Sequence, residues 1–182
     1  LEDDPLFNAG IGSQIQRDGK IRLSASLMDS EMNKFSGVIN VEDIKNPILL
    51  AQNLRDEEDN VLSGEGAISY AKNKGFKYYS SETKERREDF KKNLKSSGIG
   101  TVGCVAIDAN GSLAAATSTG GKGFELPGRV SDSATVAGNY VNKHCGVSCT
   151  GVGEDIVSGA LLQAATVITF VLIGGRQGQS GI

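Results

Sequence analysis

The chain has 182 residues, 38% hydrophobic and 23% charged, with a formal net charge of −3; this suffices for one domain with a substantial core. Mild acidity, no Trp and no basic stripe with interleaved aromatics exclude an electrostatic case for nucleic acid or an anionic membrane surface. Three cysteines, Cys104, Cys145 and Cys149, are an odd set in strand-like contexts, which fits a reducing, cytoplasmic setting rather than a disulfide framework.

In chain order, the acidic opening "LEDDPLFNAG" reads as a compact loop and not as a leader peptide. "SQIQRDGKIRLSASLMD" places Arg17-Asp18-Gly19 between two alternating runs, which predicts a hairpin. Phe35–Asn40 predicts a strand. Asn46 before Pro47 is an apt cap for a helix over "ILLAQNLRDEE", and a second helix runs from Gly64 to a C-terminal cap at Gly75. Residues 78–100 mix both charge signs with few large apolar residues, predicting a mobile linker that supports a frayed helix at most. From Thr101, Val102, Cys104 and Ala106 alternate with Gly103, Val105 and Ile107; both sets are apolar, as in a strand buried on both faces. A turn at 108–111 and the small-residue strand "SLAAATST" complete a central hairpin. A glycine-rich loop, a strand over "NKHCGVSCTG" and a helix from Glu154 follow. The apolar run Ala160–Ile173 contains Gln163 and is shorter than the ~20 residues needed to span a bilayer, so it reads as a buried helix or strand. The whole implies an α/β (α+β) chain in layers.

Several chemistries fall away on inspection. His144 is the sole histidine, and no serine is marked as its nucleophilic partner. His144, Cys145 and Cys149 lack a second pair to complete a tetrahedral metal site. "TGGKGF" lacks the Walker spacing, and "GGRQGQSG" lacks a clean strand before it and a helix after it. Thr101 remains. As a β-branched residue it suits the start of a strand, and linker and strand alone favour that reading. The alternative is chemical: a threonine hydroxyl becomes a useful nucleophile when its own free α-amine serves as base, with a pKa near 7.7–8.0. That requires cleavage of the Gly100–Thr101 bond.

Seven separated motifs, "LEDDPLFNAGIGS", "ASLMDS", "IKNPILLAQNL", "VLSGEGAISYAKNKGF", "GTVGCVAIDANGSLAAATSTGG", "GRVSDSATVAGNY" and "VSCTGVGEDI", stand in an order that resembles the plant-type L-asparaginases. These are isoaspartyl peptidases of the N-terminal nucleophile hydrolase superfamily, and the resemblance covers roughly residues 1 to 157. It implies a four-layer αββα sandwich forming a single domain over 1–182. That domain would be cut into an α part, 1–100, ending in the 78–100 linker, and a β part, 101–182, beginning at the nucleophile. It implies hydrolysis of L-asparagine or β-aspartyl dipeptides by Thr101, assisted by a hydrogen bond from Thr119. Thr150 and Gly151 would form the oxyanion hole, Arg129 and Asp132 would bind the α-carboxylate and α-amino group, and Asn8 would line the site. No catalytic cofactor is implied. A structural sodium would be held by the backbone carbonyls of Leu1, Glu2, Asp4, Phe7, Ala9 and Ile11. The partner class is a small-molecule substrate, with neither nucleic acid nor membrane, in a dimer of cleaved αβ units.

The chain departs from the family pattern in lacking the strands expected before "LED" and after "GG", and in the uniformly apolar stretch from Ser158 to Ile173. These departures predict a chain truncated at both ends, and leave a non-catalytic remnant as the alternative to an active hydrolase. Within the superfamily the rival is glycosylasparaginase, against which Gly100 speaks, since an Asp-Thr junction is typical there.

Overall fold

A computed structural model describes residues 1–92, 100–159 and 173–174. Five strands form one sheet: β1 (Leu23–Asp29), β2 (Lys34–Val41), β3 (Val61–Ser63), β4 (Val102–Ile107) and β5 (Leu113–Thr119), in the order β3-β2-β1-β5-β4. Pairing is antiparallel except between β2 and β3. A second sheet contains β6 (Asn139–Val141), β7 (Gly146–Thr150) and the two-residue β8 (Ile173–Gly174). The chain is thus a mixed α/β structure built on a central sheet with flanking helices.

The two faces of the large sheet follow from side-chain alternation. Leu23, Ala25, Val38 and Val41 pack against α1 (Pro47–Leu54) and α2 (Gly64–Asn73), where Leu50, Ala51, Leu54, Ala67 and Ala71 are buried. Each large aliphatic residue buried here contributes about 1.5–3 kcal/mol. Val38 and Val41 lie three apart, yet share this face because the β1–β2 register shifts between Leu23 and Ala25. On the other face Met28, Leu113 and Ala115 meet Val141 of β6. A Cβ built on Gly103 would lie 1.9 Å from Ser148 Oγ, so the sheets approach closely where β4 meets β7. Beyond β7, Val147 and Cys149 pack on Ile156 of α4 (Gly153–Gly159).

The expected strand over 35–40, both early helices, the turn at 108–111 and the small-residue strand are present. Gly75 closes α2 with φ +83°, its N–H donating to Lys72 O while Phe76 N–H donates to Ala71 O. Asn46 precedes α1, but its side chain donates to Asp3 Oδ1; Glu2 Oε1 receives the Ile48 N–H instead, at 3.2 Å.

Four expectations differ from the structure. Arg17–Gly19 does form a turn, with Gln16 N–H donating to Lys20 O, but no strand precedes it. That segment is held by the Asn8 side chain, which accepts the Gln14 N–H, and by the 124–125 loop, so its backbone groups are spent outside a ladder. The charged stretch after residue 78 contains α3 (Lys84–Lys91), capped by Thr83 and docked by buried Arg86, whose Nε donates to Gly12 O at 2.6 Å. Phe90 stacks on Phe124 with ring centroids 5.1 Å apart. Among the described residues β4 is an edge strand with Cys104 and Ala106 exposed and Ile107 56% exposed, rather than a strand buried on both faces. Finally, Asn142 Oδ1 accepts the N–H groups of His144 and Cys145, so "NKHC" is a turn and β7 starts only at Gly146. The expectations for the remainder of 93–99, for 160–172 and for the terminal glycine-rich stretch lie outside the described residues.

Candidate active site

Strand register places Thr101 opposite Thr119, because Val102 pairs with Ser118 across β4 and β5. Both hydroxyls then point to the face that meets the second sheet, and Thr101 Oγ1 donates to Thr119 Oγ1 at 2.9 Å. Thr119 is 1% exposed, and its Oγ1 also receives the Gly121 N–H at 3.2 Å. The half-buried Thr101 therefore sits at a rigid strand end, beside a hydroxyl whose orientation is set by two donors.

The loop after β5 is tied down by Asn8. Its backbone carbonyl accepts the Gly120 N–H at 2.8 Å, its Nδ2 donates to Gly121 O, and its Oδ1 accepts the Gln14 N–H. Asn8 is buried with both ends of its carboxamide engaged, so it braces the turn behind Thr119. Gly120 has no room for a side chain there: a Cβ would lie 2.6 Å from Asn8 Oδ1 and 2.3 Å from Ser13 Cβ.

Thr150 ends β7, and a Cβ on Gly100 would lie 3.6 Å from its Oγ1. The Thr150 hydroxyl is thus beside the residue that precedes Thr101. Gly151 follows, exposed at the start of the turn into α4. Gly153 then passes against both Arg129 and Asp132, since a Cβ on it would lie 2.7 Å from Arg129 Nη2 and 2.5 Å from Asp132 Oδ1. A side chain at 153 would push these two groups apart.

Their electrostatics differ. Arg129 donates through Nε to Glu154 Oε1 at 2.8 Å and through Nη2 to Glu154 Oε2 at 3.2 Å, while Lys122 Nζ donates to Glu154 Oε1 at 2.8 Å. The Arg129 and Lys122 contacts together hold the Glu154 carboxyl down at about 2. Asp132 is 5% exposed; Ser131 Oγ donates to its Oδ1, and its buried Oδ2 is without a hydrogen-bond partner among the described residues. Burial pushes the Asp132 carboxyl up, against the opposing effects of Ser131 and Arg129. A buried carboxylate with an open lone pair costs free energy until a cation or donor reaches it. A guanidinium and a buried carboxyl thus lie side by side across Gly153, the pair of opposite charges that a zwitterionic head group would need.

Sequence reasoning overlooked Glu154 as a partner of Arg129 and Lys122, because its helix-start position explains an acidic residue without any tertiary role. It also overlooked Thr117 and Ser148, whose hydroxyls meet at 2.6 Å between the sheets. In the 1–11 loop, the Leu1, Glu2 and Asp4 carbonyls accept the N–H groups of Asp4, Ile11 and Phe7. Each carbonyl keeps a second lone pair, and an all-oxygen donor set of this kind suits a hard cation. Among the described residues no cluster of three or more His, Cys, Asp or Glu could hold a metal, and no helix is long and apolar enough to cross a membrane.

Comparison with known proteins bears on this geometry. The sequence pattern of the asparaginase family matches residues 1–98 and 84–179. An isoaspartyl peptidase/L-asparaginase of Synechocystis sp. is 49% identical over 198 aligned positions, covering 99% of this chain and 60% of the relative. One of Nostoc sp. is 48% identical, covering 88% of this chain and 57% of the relative. A plant-type L-asparaginase of Pyrococcus furiosus is 37% identical, with 96% and 64% covered. The chain spans about three-fifths of the length of these relatives.

Proposed function

Because the chain belongs to the asparaginase family, we propose that the protein it forms hydrolyses L-asparagine and β-aspartyl dipeptides with Thr101 as nucleophile. The observation that carries this reading is the 2.9 Å hydrogen bond that holds the Thr101 hydroxyl against Thr119 at the strand end, with Thr150 beside Gly100. The packing order of α1 and α2, large sheet, small sheet and α4 supports an αββα sandwich of the N-terminal nucleophile type. In this reading residues 1–100 form the α part, with 78–100 as its linker, and 101–182 form the β part.

Thr101 Oγ first attacks the Gly100 carbonyl. The C–N bond breaks in an N-to-O acyl shift, the hydroxyl proton passing to the released Thr101 α-amine, and water hydrolyses the resulting ester to a Gly100 carboxylate and a free Thr101 hydroxyl. That amine then accepts the hydroxyl proton as Thr101 attacks the substrate's side-chain amide carbon. Thr150 Oγ1 and the Gly151 N–H donate to the developing oxyanion, and Thr119 steadies the nucleophile. Ammonia, or the amine of a dipeptide, leaves with the proton. Water resolves the β-aspartyl ester and releases aspartate.

Arg129 binds the substrate α-carboxylate, and Asp132, beside it across Gly153, receives the α-ammonium. Asn8 supports the site from behind Thr119. A structural sodium on the carbonyls of Leu1, Glu2, Asp4, Phe7, Ala9 and Ile11 would stiffen the loop that carries Asn8. The cleaved αβ unit works as a dimer in the cytoplasm.

Product release from asparagine, β-aspartyl-leucine and glycosylated asparagine tests the reading. Turnover of the first two and not the third supports it; turnover of the glycosylated substrate alone refutes it.

A further inference from the structure

The β1–β2 bulge has a second consequence besides sharing out the core valines. Leu23 pairs with Val41 and Ala25 with Val38, so Ile39 and Asn40 together oppose the single residue Ser24. Asn40 takes φ +53°, a conformation that asparagine tolerates better than most residues. Its N–H donates to Ser24 Oγ at 3.1 Å, and its Nδ2 donates to the main-chain carbonyl of Arg129 at 3.1 Å. Ser24 in turn pairs with Thr119 on the other side of β1. The bulge thus lies in the same row of the sheet as the Thr119–Thr101 pair.

We propose that Asn40 is a positioning residue for Arg129: the bulge aims its carboxamide at the Arg129 carbonyl and so fixes where the guanidinium meets a substrate carboxylate. This inference rests on the reading of Arg129 as the α-carboxylate binder. The anchors of this loop lie at its start, where Asn8, Ile15, Arg17 and Phe90 hold residues 120–125; the stretch next to Arg129 is less held. Leu126 and Val130 are 62% and 51% exposed, and exposed Gly128 takes positive φ. Solvent-facing backbone beside a glycine has conformational freedom to lose. The Glu154 side chain that grips the guanidinium is itself half exposed. Asn40, by contrast, projects from a strand interior to the sheet, and its bond ties the loop backbone to that sheet one residue past Gly128.

Two variants separate the hydrogen bond from the backbone conformation. N40D keeps tolerance of the left-handed conformation but presents no donor, and N40G keeps the conformation without any side chain. The readout is NMR-titration Kd in the full-length protein for L-aspartate and for β-alanine, which is aspartate without its α-carboxylate. Loss of one neutral hydrogen bond at a binding group predicts about three- to tenfold weaker L-aspartate binding in both variants, with β-alanine binding unchanged. Unchanged L-aspartate binding in both, or equal weakening for both ligands, overturns the proposal. R129A measured alongside distinguishes the failures. If R129A weakens L-aspartate selectively while the Asn40 variants do not, only the role of Asn40 falls. If R129A fails to discriminate between the ligands, the Arg129 reading falls and takes this inference with it.

Discussion

Arg129 and Glu154 form a two-point ion pair, at 2.8 Å through Nε and 3.2 Å through Nη2. Glu154 therefore fixes the orientation of the Arg129 guanidinium. E154Q is expected to raise KM for asparagine about three- to tenfold with little change in kcat, because the charge-assisted grip on Nε and Nη2 is weakened. Steady-state kinetics checks this.

The same pair has a pH signature. The Glu154 carboxyl falls from an ordinary 4.5 to about 2 in the folded chain. A depressed folded value gives stability that is fully present above about 4.5 and lost as pH falls toward about 2. Glu154 is half exposed, so solvent screening keeps the effect small. Acid-unfolding curves of wild type and E154Q should differ above pH 4.5 and converge near pH 2.

Asp132 titrates in the opposite sense. Burial raises its folded value above the ordinary 3.8, so the folded chain holds this proton more tightly than the unfolded one and stability declines as pH rises through that window. At neutral pH its open carboxylate destabilises the ligand-free fold. D132N should raise Tm at pH 7, by an increment that shrinks toward pH 4, while weakening substrate binding about 10- to 100-fold through loss of the ammonium partner. Calorimetric Tm at the two pH values and KM read the two halves of this trade.

How far these features were legible beforehand depends on whether local chemistry determined them. Pro47, Gly75 and the Asp108–Gly111 turn announce themselves because φ preference and capping act over a few residues. The pairing of Thr101 with Thr119 follows from the length of one hairpin. Arg86 could not be placed from composition: on paper it belongs to a solvated charge run, whereas its bond to the Gly12 carbonyl, 74 residues away, makes it an anchor. The edge position of β4 was equally hidden, since apolar residues on both faces of a strand say nothing of how many neighbours cover it. Glu154 and Asn40 act on Arg129 from 25 and 89 residues away. No spacing rule reaches that far.

Gly103 is where the two sheets come closest. G103A would set a methyl 1.9 Å from Ser148 Oγ and 2.7 Å from Ser148 Cβ, so it should cost about 1–3 kcal/mol by overpacking. S148G in the same chain should restore most of that loss in denaturant unfolding. An unaltered midpoint in G103A would show that the sheets yield at this point.

The central claim is that Thr101 frees its own amine and then uses it. Intact-mass analysis of the purified full-length protein tests this most directly. Wild type should give two fragments meeting at Gly100 and Thr101, and T101A should remain a single uncut chain without turnover. A wild-type chain that stays uncut, or a T101A variant that still hydrolyses asparagine, would contradict the account.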